Sequence, residues 1–181
     1  MKNLFCAIIS IFLWYGCSSV PITGRKQLSI VSSSEMNAMA VTSYKETLAS
    51  SKLSTNAEQT AMIKRVGARI SKAVEQYMAD NKMSSAINNF QWEFNLIDDP
   101  STVNAWCMPG GKVAFYTGIL PICKNDAGVA VVMGHEIAHA VANHSSERMS
   151  QELIMQMGGT ALSTALQQKP EQTRQIGRAH V

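Results

Sequence analysis

His135-Glu136-Ile137-Ala138-His139 constrains this chain more than any other feature. The five residues lie in an apolar run without proline, which predicts a helix. On a helix, residues i and i+4 share a face. His135 and His139 can therefore both turn a ring nitrogen toward one Zn2+ ion, at the spacing of helix-borne zinc sites. Glu136 lies about 100° further round. From there its carboxylate reaches a metal-bound water and not the metal, the position of a general base. The plainer alternative is two satisfied core histidines beside a surface glutamate. It leaves unexplained why bare polar rings sit in such apolar surroundings.

The flanking residues reinforce the helix. Val129-Ala130-Val131-Val132-Met133 precede the motif, and Ile137, Ala138, Ala140, Val141 and Ala142 lie within and after it. A helix apolar nearly all round belongs in a core. A chain of 181 residues has room for one domain with such a core. The net charge of +3 is small, and no Lys/Arg cluster is dense enough to track a phosphate backbone. Nucleic acid is therefore set aside as a partner.

Lys2 leads into an apolar stretch from Leu4 to Tyr15, too short to span a bilayer but the length of a signal-peptide core. Gly16-Cys17-Ser18-Ser19 follows. A small residue before a Cys, directly after such a core, resembles the lipobox of bacterial lipoproteins, with Trp14 where that pattern prefers Leu. Residues 1–16 are thus expected to be a cleaved signal, Cys17 to carry the lipid, and residues 17–33 to be a tether. The alternative is an ordinary secretory signal with an incidental Cys. Ser18 is not the Asp associated with inner-membrane retention, so the expected address is the outer membrane, facing the periplasm. Cys107 and Cys123 would then meet an oxidising compartment, either as a disulfide or as two buried thiols.

Ser32 and Glu35 carry the signature of a capping box and predict a helix over 34–49. Thr55 and Glu58 repeat the signature, and Met62, Val66, Ile70, Ala73, Val74 and Tyr77 recur at helical spacing. The period then drops to two. Phe90, Trp92, Phe94 and Leu96 alternate with Gln91, Glu93 and Asn95, as in a half-buried strand. Residues 103–108 and 112–117 read as further strands around the turn triplet Pro109-Gly110-Gly111. With Asn125 as cap, one helix is expected over 126–150 and a second over 151–167, with Gly158-Gly159 as a point of interruption. The expected fold class is α+β, mostly helical, with a small antiparallel sheet or hairpin beside the His-bearing helix. The folded domain spans 34–175.

A zinc site normally needs three protein ligands. On an unbroken helix His144 lies about 180° from His135 and about 140° from His139, and Ala140 to Asn143 contain no Gly to break it. His144 is expected to support the ligands without binding the ion. Glu147 and Glu152 lie too far along the axis, and nothing around Glu171 reads as a ligand helix.

Taken together, three segments resemble the HtpX and CAAX-prenyl-protease family of zinc metallopeptidases, gluzincins of metallopeptidase family forty-eight. The likeness runs to their bacterial lipoprotein branch and the related mitochondrial inner-membrane protease. The segments are Val20-Pro-Ile-Thr-Gly-Arg-Lys-Gln-Leu28, Asn104-Ala-Trp-Cys-Met-Pro-Gly-Gly-Lys-Val113 and Gly134-His-Glu-Ile-Ala-His-Ala-Val-Ala-Asn-His144. The resemblance implies a zincin-like fold and a third ligand, a Glu within an E-A-D sequence on a later helix. No such sequence occurs in this chain. Its last residues, 176–181, match a translated sequencing adapter, so the native protein is expected to continue past Gln175. The chain as it stands is then expected to bind zinc weakly and to have little activity.

For the complete protein the resemblance implies a zinc metalloendopeptidase, with His135 and His139 on the metal and Glu136 as base. A sheet-edge strand would hold an extended or unfolded peptide through its main chain. The candidate edge is Asn104-Ala105, or Val113, Ala114 and Phe115 continuing to Tyr116. The alternative is a hairpin that only closes the sheet. Protein quality control at the cell envelope suits such a site. A second reading is a lipid-anchored chaperone or assembly factor with little turnover. A structural zinc site would need four protein ligands.

Overall fold

The polar stretch expected to be a tether folds back on itself. The structure is a computed structural model describing residues 17–167, with side chains from 19 to 160. Here β1 (Cys17–Ser19) pairs antiparallel with β2 (Lys26–Leu28). Val20 and Gln27 are buried, so residues 17–33 are part of the fold. The signal expected over 1–16 and the tail over 176–181 lie outside the described residues.

Ser32 then caps α1 (Ser33–Ser50) through the expected box. Its side chain accepts from the Glu35 N–H while Glu35 reaches back to the cap. The next helix, α2 (Ala57–Asp80), starts one residue later than Thr55 predicts. Asn56 is the cap, its side chain accepting from Gln59 N–H at 3.0 Å. A short 3₁₀ turn (Ser84–Ile87) leads to the sheet.

The three-stranded sheet is mixed, not wholly antiparallel. Strands β4 (Ala105–Met108) and β5 (Lys112–Tyr116) form the expected hairpin, turning at Gly110 and Gly111 with φ of 81° and 80°. A Cβ on Gly111 would stand 2.8 Å from the Trp92 ring. Strand β3 (Glu93–Ile97) runs parallel to β5 on its other side, giving the order β3-β5-β4. A parallel partner needs a crossover, which the long path through 98–104 and β4 supplies.

Side-chain alternation gives the sheet two covered faces. Phe94, Leu96, Val113, Phe115, Ala105 and Cys107 face α2 and the His-bearing helix α4 (Asp126–Val141), meeting Ile63, Val66, Met133 and Ile137. Ala114, Ile97, Trp106 and Met108 face α1, where Tyr44 is the central side chain. The Tyr44 hydroxyl donates to Val113 O at 2.9 Å and accepts from Asn95 Nδ2 at 3.0 Å. Burial pushes this phenol up to about 12. Between the sheet and α4 lies the single-turn α3 (Leu120–Cys123).

The expected helix over 126–150 is two helices. It breaks at Ala142-Asn143, and α5 (His144–Gln167) then runs through Gly158-Gly159 without interruption. Asn143 makes the break by adopting left-handed backbone at φ 55°. Its carbonyl accepts from the N–H groups of Ser146 and Glu147, starting α5. No helix among the described residues is long and apolar enough to cross a membrane.

Candidate metal centre

The start of α4 is held twice. Asn125 accepts from the N–H groups of Ala127 and Gly128 at 3.0 and 3.1 Å. Arg65 on α2 then grips Asp126 with both arms of its guanidinium, at 3.0 and 2.9 Å. That grip holds the Asp126 carboxyl below its usual range. Beyond this anchor the inner face of α4, with Val129, Met133, Ile137, Ala140 and Val141, is buried.

The outer face is open, contrary to the expectation of a helix enclosed all round. His135, Ala138 and His139 are exposed, and Val131, one turn earlier, is 74% exposed. The sheet and α2 together cover only part of the circumference, so apolar residues on the remaining arc meet solvent.

On that arc the two imidazoles converge. His135 Nε2 and His139 Nε2 stand 3.0 Å apart, with the rings nearly perpendicular. Ligand nitrogens at ~2.0–2.1 Å from a tetrahedral zinc ion are separated by about 3.3 Å. The pair therefore fits such an ion on its outer side. Among the described residues, no group of three or more His, Cys, Asp or Glu is disposed to hold a metal ion.

His144 approaches from the far side. An unbroken helix would carry His144 away from His139, but the turn at Asn143 brings it back. Its Nδ1 lies 2.6 Å from His139 Nδ1, the nitrogen remote from His135. Were His139 Nε2 to bind an ion, its Nδ1 would carry the proton and donate to His144 Nδ1. The signal missed in the sequence was Asn143, because Asn after Gly is the residue that most readily ends a helix in left-handed backbone.

Glu136 is half-buried on the side of α4 that faces β4. Its charge and, above all, burial push the Cys107 thiol up to about 12. Cys107 is thus a neutral thiol at physiological pH, and it and Cys123 are free, with no disulfide between them.

The sheet decides between the two candidate edges. Val113, Ala114 and Phe115 lie in the central strand, fully buried and paired on both sides. They cannot receive a further strand. Asn104 and Ala105 stand at the start of β4, whose outer edge carries no strand among the described residues. Asn104 O accepts from Tyr116 N–H at 3.1 Å, so the Ala105 N–H in the same peptide unit points outward. That N–H donates to the Asn104 side chain at 2.9 Å.

The sequence that carries this His pair and the glutamate between them matches known proteins. The profile of peptidase family M48 matches residues 64–180. The chain belongs to peptidase family M48. The M48 match takes in α2 from Lys64 onward, the whole three-stranded sheet and the His pair, while the β1-β2 hairpin and α1 precede it. Similar relatives include the mitochondrial metalloendopeptidase OMA1 of Saccharomyces cerevisiae, 40% identical over 95 residues, and that of Schizosaccharomyces pombe, 35% identical over 133. These matches cover 51% and 72% of this chain, but 28% and 36% of the relatives. Metalloprotease YcaL of Escherichia coli is 35% identical over 63 residues, 35% of this chain and 24% of that protein. The chain thus spans little more than a third, at most, of the length of these relatives.

Proposed function

We propose that this M48 chain carries the catalytic core of a zinc metalloendopeptidase acting at the bacterial cell envelope. The observation that carries the proposal is the convergence of His135 Nε2 and His139 Nε2 at 3.0 Å on the open face of α4. Both nitrogens would hold the ion, with His139 kept in the required tautomer by His144. Zinc, when bound, supplies Lewis-acid polarisation of a peptide carbonyl and lowers the pKa of a water toward ~7. The Glu136 carboxylate takes the proton from the attacking water and returns it to the leaving amine. Backbone groups on the outer edge of β4, beginning with the Ala105 N–H once the Asn104 side chain releases it, hold the substrate in extended form.

Main-chain recognition of this kind suits unfolded or extended segments, and hence protein quality control. A lipid on Cys17 would tether the chain to the outer membrane, a reading that rests on Gly16-Cys17 after the apolar stretch. Glu136→Gln in the full chain tests the chemistry. Casein cleavage should fall by about 10²–10⁴-fold while bound zinc, measured by elemental analysis, is unchanged. A chain that takes up no zinc, or a variant that cleaves at the unaltered rate, overturns the proposal.

One observation favours a second reading, a chaperone or assembly factor with little turnover: the described residues supply only two converging nitrogens. In that case Glu136→Gln would leave partner binding and cellular function intact.

A further inference from the structure

The segment Val20 to Leu28 has no part in the chemistry above, yet it is tied to the end of the His-bearing helix. Its contacts, and those of Ile30 and Val31 just after it, fall on the first turns of α5, beyond His144. Arg25 donates from Nη1 and Nη2 to the two carboxylate oxygens of Glu147, at 2.7 and 2.5 Å. Such a paired fork fixes orientation as well as distance. One residue earlier, Ser146 is buried and donates to Val31 O at 3.2 Å. One turn later, the fully buried Ser150 accepts from Ile30 N–H at 2.9 Å. Small hydroxyl residues let the β2 end of the hairpin lie close against the helix.

The other end of the hairpin reaches the groove between α2 and α4. Ile22, held at φ 72°, lines a cavity of about 280 Å³ with Tyr77, Met78, Gly134, Ile137 and Val141. The hairpin therefore shares this groove with the last turn of α4, and it bonds to the first turns of α5. Only Ala142 and Asn143 separate the two helices there. The position of His144 against His139 depends on the angle of this turn, and the hairpin spans it.

We propose that the hairpin of residues 17–31 is a positioning strap for the metal centre, in which Arg25 acts through Glu147 and His144 to hold the His139 ring. The two hydrogen-bonded ends of this relay, Arg25 with Glu147 and His144 with His139, are joined through the first turn of α5. Arg25 fixes Glu147, Glu147 lies one turn from His144 on α5, and His144 meets His139 Nδ1 at 2.6 Å. His139 Nε2 then faces His135. Arg25 and His144 are positioning residues, because neither touches the metal side of the pair. Partners that orient a ligating histidine in this way are worth about 10–100-fold in metal affinity. The inference rests on the proposed metal site, which it deepens.

The test uses the full chain with Arg25→Met, Glu147→Gln and the exchanged pair Arg25→Glu with Glu147→Arg. Zinc affinity by chelator competition should drop about tenfold in each single variant and return in the exchanged pair. The visible spectrum of the cobalt-substituted chain should broaden in the single variants. A second measurement needs no metal. Nitrogen-15 shifts of the imidazoles should show His139 protonated on Nδ1 in the unmodified chain and averaging between tautomers in Arg25→Met. Unaltered zinc affinity together with unaltered imidazole shifts overturns the strap. If the unmodified chain binds no zinc, the hydrolase proposal fails, while the imidazole shifts still decide the strap.

Discussion

Tyr44 illustrates how much one buried polar atom can carry. Its hydroxyl donates to the Val113 carbonyl of the central strand and accepts from Asn95 of β3, so it joins two strands to α1. Replacing it by Phe would take the hydroxyl from both, leaving Asn95 Nδ2 its bond to Glu93 Oε1 at 3.0 Å. Tyr44→Phe should cost about 1–3 kcal/mol in urea unfolding at neutral pH. The phenol is held at about 12 in the folded chain, above the ~10 of an unfolded tyrosine. The folded state therefore keeps its proton where the unfolded state loses it. Stability from this group is intact below pH ~10 and declines as pH rises toward 12. That alkaline decline should be smaller in Tyr44→Phe, which unfolding midpoints across pH 9–12 would reveal. The helical period places Tyr44 on a buried face, but nothing in it announces the Val113 carbonyl. Hydrogen-bond partners across the sheet are set by register, and register has no local signature.

Among the elements, those governed by neighbouring residues were legible. The Ser32–Glu35 box, the Asn125 cap and the Pro109-Gly110-Gly111 turn each act within a few residues, and each stands as expected. The break at Asn143 is local too, but Asn marks a helix end less strongly than Gly does. Left-handed backbone costs an alanine roughly 1–2 kcal/mol and costs Asn less. Asn143→Ala should therefore lower stability by about 1 kcal/mol, and Asn143→Gly should be close to neutral. Thermal unfolding of the two variants checks this ordering. An alanine as stable as the glycine would mean that the turn relaxes into continuous helix. The parallel pairing of β3 with β5 was not legible, because a two-residue repeat gives a strand its faces without naming its partner.

Across the whole molecule, two charged forks join distant parts of the chain. Arg65 with Asp126 ties α2 to α4, and Arg25 with Glu147 ties the hairpin to α5. Hydrogen bonds from the guanidinium hold each carboxyl below its ordinary range. Stability from both is present above the unfolded carboxylate range of ~4. It is lost as pH falls through the lower values of the folded state. Urea midpoints should thus decline below pH ~4, and less so in a chain carrying both Asp126→Asn and Glu147→Gln. Equal acid sensitivity in that variant would place the effect elsewhere. The His pair, the glutamate between them and the open strand at Asn104 were readable because i,i+4 spacing and turn chemistry are properties of short segments. Which strand is central, which arc of α4 stays open and which residue leans on His139 were decided only by packing. Those outcomes depend on segments far apart in sequence competing for the same buried surface, a competition that has no record in any one of them.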